Sequence, residues 1–515
     1  NFINCTSEKS GGGFGLGHNE DVKLSTLNFI NCSFIGNLCK SSSADKQNDG
    51  GGALWIRLSA PCGISNCIFK DNKSGPNART DGGAIFLSFT NSLFYMQINN
   101  SVFINNTCQH SGSLGHAICA SVMNGPIEIR GCQFIDNGYD KKQQSIIQTQ
   151  SSLKIYDSFF SFTSKEKSLS RAFDIGSSSD LFIQNTIVAN FTSRGHGGSL
   201  YYGKTSTKSS EEVHIINCTF INNSNQDSTK HKGTEIYLKL YTAPEISNCT
   251  FCNSYITSDL IYLDFDEVIP PITFAYFDQI NCIQCNFNNN KVLKILHNSK
   301  EITMNELILD GCNFIDNKDI LYASLNNPKI TIKESTFEGN TMKNHLFSVL
   351  SGKETYISDS IFKDNNFIPT AGNTKDNTAT FIIENSTLFE IYNSAFIHEN
   401  ADDSSKDIYG SILKVNTDLY MSNVSFINCS NAKYSISLFR PTDTNLLSKL
   451  ETFTFIDSVI DDSGSLFIEN GIQKIEILDS FIKNSIISYN DILFTNNVFQ
   501  YDDFQTNAPT PLNIE

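Results

Sequence analysis

The sequence has no apolar run of 18 residues or more, so nothing in it reads as a membrane-spanning helix. No secretory leader is visible, and no stretch shows the 3.6-residue period of an amphipathic helix. Basic residues are the minority: 38 Lys and Arg stand against 54 Asp and Glu, a net charge of −16. That surface repels nucleic acid and anionic lipid, which argues against both as partners. Tryptophan occurs once, as Trp55 beside a glycine pair, where packing is the expected role rather than a sugar platform. The 9 histidines lack ligand spacing, so no metal or cofactor is expected.

Catalytic constellations are equally scarce. An inverting glycosidase needs two carboxyl groups held across a sugar. The acidic pairs Asp402/Asp403, Asp461/Asp462 and Asp502/Asp503 read as solvated turns. Gly195-His196-Gly197 and Asn416-Thr417-Asp418 echo polygalacturonase motifs. They come in reversed order with no Arg-x-Lys after them, and read as coincidences. Cys282-Ile283-Gln284-Cys285 has half of a zinc or redox spacing but no second pair. Cys285 is assigned instead to the repeat described next.

What the chain has is self-similarity. Phe followed three residues later by Asn recurs at Phe34/Asn37, Phe69/Asn72, Phe103/Asn106, Phe134/Asn137, Phe220/Asn223, Phe287/Asn290, Phe314/Asn317, Phe337/Asn340, Phe362/Asn365 and Phe481/Asn484. Looser copies fall at Phe160, Ile187/Asn190, Phe251, Phe396, Phe426, Phe455 and Phe499. Alternating segments such as Ile127-Glu128-Ile129 and Ile475-Glu476-Ile477 precede the anchors, the pattern of half-buried strands. One unit cannot bury its own apolar face, but a stack of units can. The fold expected is all-β, a right-handed parallel β-helix of about 17 rungs spaced about 4.8 Å apart. Phe should stack on Phe, and the anchor Asn should form an amide ladder at a left-handed bend.

Two residues before the anchor stands Cys (Cys32, Cys67, Cys132, Cys218, Cys249, Cys285, Cys312) or Ser (Ser101, Ser158, Ser335, Ser360, Ser394). A column of small side chains follows, with mostly free thiols expected in it. One continuous body over 1–515 is expected, Cys-rich with long loops over 1–312 and Cys-poor with shorter rungs over 313–515. It opens inside a repeat, which suggests a segment of a longer polypeptide. Loops near 36–50, 138–151, 163–180 and 398–409 are the expected contact sites.

The 15 cysteines and the Asn-x-Ser/Thr sequons together suggest an extracellular or cell-surface setting. Asn72, Asn99, Asn105, Asn190, Asn222, Asn385 and Asn423 are the candidate N-glycosylation sites, so N-linked glycans are expected.

Four segments read Gly-Gly-Ala-Ile or nearly so: Gly51-Gly52-Ala53-Leu54, Gly82-Gly83-Ala84-Ile85, Gly115-His116-Ala117-Ile118 and Gly197-Gly198-Ser199-Leu200. Together with the Phe-x-x-Asn anchors, they resemble the repeat of the chlamydial polymorphic membrane proteins and of related β-helix surface proteins of protists. That resemblance implies a surface-exposed, adhesive passenger. The expected function is therefore a non-enzymatic extracellular structural or adhesive protein, a rigid rod able to assemble into a fibre. Expected partners are further copies of the chain, end to end or side by side, and a host or matrix glycan or protein ligand. The alternative is a carbohydrate-active β-helix enzyme, a polysaccharide lyase or glycoside hydrolase.

Overall fold

In the computed structural model the chain is all-β, and its strands pair in parallel throughout the described residues. The structure describes the strands, corners and glycine turns between residues 1 and 499. The longer connections, among them 18–25, 41–49, 164–169, 204–210, 266–274, 298–305, 317–328, 369–378, 402–410 and 439–448, lie outside the description, as do 500–515. Among the described residues no helix is long and apolar enough to cross a membrane. The chain divides into two compact units, Asn1–Ile269 with Lys294–Asn298, and Pro270–Leu293 with Ser299–Glu515.

Most rungs of the first unit run through a common sequence of strands. A leading strand such as Ile127–Arg130 alternates buried and half-buried or exposed residues. A corner follows, then a three-residue anchor strand such as Gln133–Ile135 with only its Phe inside. A second corner leads away, and a glycine turn later opens a third strand such as Ile85–Ser88. Successive rungs pair in register, so Phe34, Phe69, Phe103, Phe134 and Phe160 face one another in order. Their rings stack at 4.9, 4.7, 4.5 and 4.4 Å between centroids. Phe220 stacks on Phe251 in the same column. Among the described residues, anchor strands number eighteen over the two units. The parallel β-helix expected from the repeat is therefore the fold.

The second unit keeps the plan with longer leading strands, Lys329–Lys333, Glu354–Ser358 and Leu388–Tyr392. Phe314, Phe337, Phe362, Phe396 and Phe426 align and stack at 4.8, 5.0, 4.9 and 4.9 Å.

The anchor asparagines form the amide ladder. Asn37 Nδ2 donates to Asn72 Oδ1 (2.9 Å), Asn72 to Asn106 (2.9 Å) and Asn106 to Asn137 (2.8 Å). The second Nδ2 hydrogen of each goes to the carbonyl of the anchor Phe one rung back, as in Asn72 to Phe34 and Asn106 to Phe69. Each Oδ1 also accepts the backbone N–H of the preceding rung's Asn. Every polar atom of a buried Asn72 or Asn106 is thereby satisfied, as a buried amide requires. Asn223 donates to the Val188 carbonyl and caps the Phe191 N–H, and Asn340 joins Asn365 in the second unit. Asn317 lies outside the described residues.

The left-handed bend sits one residue earlier than expected. The residues with positive φ are Gly36, Asp71, Asn105 and Asp136, each immediately before a ladder Asn. None of Asn37, Asn72, Asn106 or Asn137 has a positive φ. Two jobs assigned to one Asn are split: the inward amide bonds across rungs, while its neighbour takes the αL backbone and points outward. A second αL column turns the chain into the anchor strand, at Asn31, Asn66, Asn100, Gly131, Asp157, Asn185, Asn217 and Asn248.

The small-residue column is a third ladder. Cys67 N–H donates to Ser101 Oγ (3.1 Å), Ser101 N–H to Cys132 Sγ (3.4 Å) and Cys132 N–H to Ser158 Oγ (3.2 Å). Each Oγ–H or Sγ–H turns back to the carbonyl two residues earlier. Cys and Ser interchange because both offer one acceptor and one donor on a short arm. Ser335, Ser360 and Ser394 continue the pattern in the second unit. None of the described cysteines is part of a disulfide. Burial pushes Cys132 up to about 11, so it stays a neutral thiol.

Four rungs correct the sequence alignment. Val188, not Ile187, occupies the anchor slot opposite Phe160 and Phe220. Ile460 follows Phe426, and Ile482 follows Ile460, so Phe455 belongs to a leading strand and Phe481 is shifted by one. Cys282 pairs with Phe314, so the anchor strand here is Asn281–Ile283 and Phe287 falls in the separate strand Asn286–Phe287. At Val188, Ile460 and Ile482 a β-branched side chain fills the inward slot, and parity then decides which neighbour faces in. The regions near 138–151 and 163–180 are not simply loops either, since Gln144–Thr149 and Ser170–Ile175 are strands.

The paired glycines divide their work. Gly51 has φ 70°, with a would-be Cβ 1.9 Å from the Leu54 carbonyl; a Cβ on Gly52 would lie 2.1 Å from the Gly83 carbonyl of the next rung. The first permits the turn and the second the close approach of rungs. Gly11-Gly12 makes the same turn ahead of Phe14.

Replacing Asn106 with Ala strands the Phe69 carbonyl and the Asn72 N–H in the core. A loss of about 2–4 kcal/mol is expected by denaturant titration. Asn105→Gly, on the adjacent corner, is expected to cost under about 1 kcal/mol because Gly accepts the αL backbone.

Candidate ligand-binding face

The sites suspected from sequence are not brought together. Asp402, Asp403, Asp462, Asp502, Asp503 and Cys285 lie outside the described residues, and Asp461 pairs with Lys483 at 3.3 Å. Asn416 and Thr417 are fully buried within the twelve-residue strand Ser411–Ser422, and Thr417 Oγ1 donates to the Ser386 carbonyl at 2.6 Å. His196 packs against Tyr237, with ring centroids 4.7 Å apart and the planes tilted by 34°. Trp55 lies over Gly17, whose missing side chain makes room for the ring. Among the described residues no group of three His, Cys, Asp or Glu is placed to hold a metal ion.

The sequons sort by their place in the rung. Asn72 is fully buried in the amide ladder, so the structure contradicts its candidacy: no glycan can reach it. Asn385 lies outside the described residues. Asn99 is half-buried on the leading strand Met96–Asn99. Asn105, Asn190, Asn222 and Asn423 all stand on αL corners, as do Asn4, Asn31, Asn217, Asn248 and Asn428. The sequon is thus a by-product of the repeat: an αL Asn, an inward residue, then a Ser or Thr that is buried at Thr107, Thr192 and Ser224 and half-buried at Thr219, Thr250 and Ser425. These corner amides also touch, Asn222 Nδ2 donating to Asn190 Oδ1 at 2.8 Å and Asn248 to Asn217 at 3.1 Å.

One carboxyl group stands apart. Glu399 takes the ladder position after Asn365 and is fully buried. Its Oε1 accepts from Asn365 Nδ2 at 2.7 Å, and its Oε2 from Thr380 Oγ1 at 3.0 Å. Burial outweighs these bonds and pushes the carboxyl up to about 8. A raised carboxyl often marks a catalytic acid. This one faces the core and ends an amide ladder.

The outward positions of the second unit's leading strands build a different surface. Thr331, Tyr356, Glu390 and Tyr420 follow one another in register across four rungs. Tyr392, two residues along from Glu390, lies between the two tyrosine rings, 5.5 Å from Tyr356 and 5.4 Å from Tyr420, tilted by 41° and 40°. A groove of about 360 Å³ beside them is lined by Lys329, Thr331, Glu354, Thr355, Tyr356, Leu388 and Glu390. Lys329 Nζ lies 3.9 Å from Glu354 Oε2. Partial burial and the Glu390 carboxylate, to which its hydroxyl hydrogen-bonds, push the Tyr392 phenol up to about 12.

Sequence reading missed this face, although a signal was there. Aligned on Phe362, Phe396 and Phe426, the residue six positions earlier is Tyr356, Glu390 and Tyr420. In the first unit a groove of about 380 Å³ beside Asn105 holds Asp71 and Asp136. Both are engaged, Asp71 by Asn105 Nδ2 at 2.7 Å and Asp136 by the Thr163 N–H at 2.7 Å.

No protein-family model and no curated protein matches the chain. Solved structures show distant likeness. A PL6 alginate lyase in complex with a trisaccharide is 10% identical over 92% of this chain and 85% of its own, with a TM-score of 0.23. The alginate lyase AlyF-OU02 with G6 is 9% identical over 92% and 86%, with a TM-score of 0.21. The A-module of the Azotobacter vinelandii mannuronan C-5 epimerase AlgE6 is 10% identical over 88% and 92%, with a TM-score of 0.19. Similarity at that level carries no argument about substrate or activity.

Two predictions follow from this geometry. A carboxyl raised in the folded state stabilises the fold fully below its unfolded value, and that stability is lost as pH rises towards about 8. Glu399→Gln is expected to abolish this decline and to raise stability near pH 8 by about 3–5 kcal/mol, read from denaturant midpoints across pH. In material from a glycosylating host, peptide mass spectrometry is expected to find Asn72 bare, and Asn217 and Asn248 never both occupied on one molecule.

Proposed function

We propose that this protein is a non-enzymatic extracellular structural or adhesive element, a rigid β-helical body that makes contacts through its outward faces. The observation that carries the reading is where the repeat directs its polar groups. Asn, Ser and Cys of the motif point inward and bond to the next rung, so the repeated residues serve stacking. What varies from rung to rung faces outward, as a display surface requires. Corner sequons on the outside fit surface exposure and N-linked glycans. Further copies of the chain and a host or matrix ligand are the proposed partners.

The alternative of a carbohydrate-active enzyme draws on one feature, Glu354 and Glu390 lining the same groove. Against it, Lys329 approaches Glu354 and Tyr392 hydrogen-bonds to Glu390, so both carboxylates are already engaged by neighbouring side chains. The test is incubation of the purified chain with neutral polysaccharides and polyuronates, followed by assay of new reducing and unsaturated ends. No product is expected above the level of a Glu354→Gln/Glu390→Gln variant. Product that this variant fails to make would overturn the reading.

A further inference from the structure

We propose that the tyrosine ridge of the second unit, Tyr356, Tyr392 and Tyr420 with Glu390, Glu354 and Lys329, is a binding site for a neutral oligosaccharide. It deepens the contact-protein reading and rests on it. Three observations point to this ligand class.

The first is ring placement. Three half-exposed tyrosines occupy three successive rungs of an outward face. Rungs repeat about every 4.8 Å, close to the length of one pyranose unit. A sugar chain laid across the rungs therefore meets an aromatic ring at each step. The rings are tilted by about 40° to their neighbours rather than closed face to face, so their faces are not all covered by one another. Pyranose C–H faces stack on such rings, burying apolar area that is otherwise wet.

The second is hydrogen bonding. Glu390 sits in register between Tyr356 and Tyr420, and Glu354 and Thr331 line the groove beside it. Carboxylates accept pairs of sugar hydroxyls, while Lys329, Thr331 and the Tyr356 phenol donate. A few convergent polar groups on an apolar floor are what a specific small-ligand site contains.

The third is charge. The groove holds two carboxylates against one ammonium, on a chain of net charge −16. A uronate or sulfated glycan would bring like charge to Glu390 and Glu354 at close range. Hydroxyl-rich neutral sugars carry no such cost.

The experiment is calorimetric titration of the full chain with neutral hexasaccharides (gluco-, manno- and xylo-configured) and with uronate hexasaccharides. Tyr356→Ala, Tyr420→Ala and Tyr420→Phe variants are compared, with thermal unfolding to confirm that each folds. Each ligand is weighed by mass spectrometry afterwards. Saturable binding of at least one neutral hexamer is expected. Each Ala variant is expected to weaken it about threefold to tenfold, and Tyr420→Phe to leave it within about twofold. Folded protein that binds no neutral hexamer, binds uronates better, or is indifferent to the Ala variants overturns the proposal. An intact ligand without binding sinks only the ridge; a cleaved ligand sinks the non-enzymatic reading while leaving the ridge as a site.

Discussion

In-register parallel stacking is the constraint on which the rest of each unit depends. Placing every rung at one spacing forces like positions to meet like positions. A side chain that can bond or pack against a copy of its own kind is then favoured in the interior, and departures such as Glu399 and Val188 must fit the neighbouring rung's residue instead. Phe satisfies this by ring stacking, Asn by an amide that donates forward and backward, and Ser or Cys by one acceptor and one donor. The corners obey the same rule from outside, where αL Asn, Asp and Gly predominate because these take positive φ at small cost, with Glu334 and His398 as departures.

That constraint explains what could be read from the sequence. Inward columns repeat because the stack requires it, so the Phe–Asn anchors, the small-residue position and the glycine turns were all visible. Register at Val188, Ile460, Ile482 and Cys282 was not, since these slots are filled by residues unlike Phe while a Phe or Ile stands nearby to mislead. Adjacent residues face opposite ways in a strand, so an error of one position inverts the assignment. The tyrosine ridge was hidden for the opposite reason. Outward positions need not repeat, and Tyr356, Glu390 and Tyr420 are separated in sequence by connections of different length.

Cysteine shows how a composition signal can be misleading. A dense set of cysteines invites a disulfide framework and an oxidising compartment. In the structure Cys32, Cys67, Cys132 and Cys312 are hydrogen-bonding members of a ladder, exchangeable with serine, and none of the described cysteines is in a disulfide. Their number is set partly by that column and partly by other buried positions such as Cys62 and Cys119. It says little about where the protein resides, and the case for an extracellular setting rests on the corner sequons and the resemblance of the repeat.

The ladders also make each rung an interchangeable part. Within a unit a rung contacts its two neighbours through identical columns, so its own identity is invisible to rungs further away. Removing one full repeat, for instance the residues between equivalent points of the Phe103 and Phe134 rungs, brings Phe69-type and Phe134-type rungs together with every column intact. Recombination between the repeated segments of the gene would therefore yield shorter and longer versions that still close their hydrogen bonds. The reach of such a protein can change by whole steps without any change to the chemistry that holds it together.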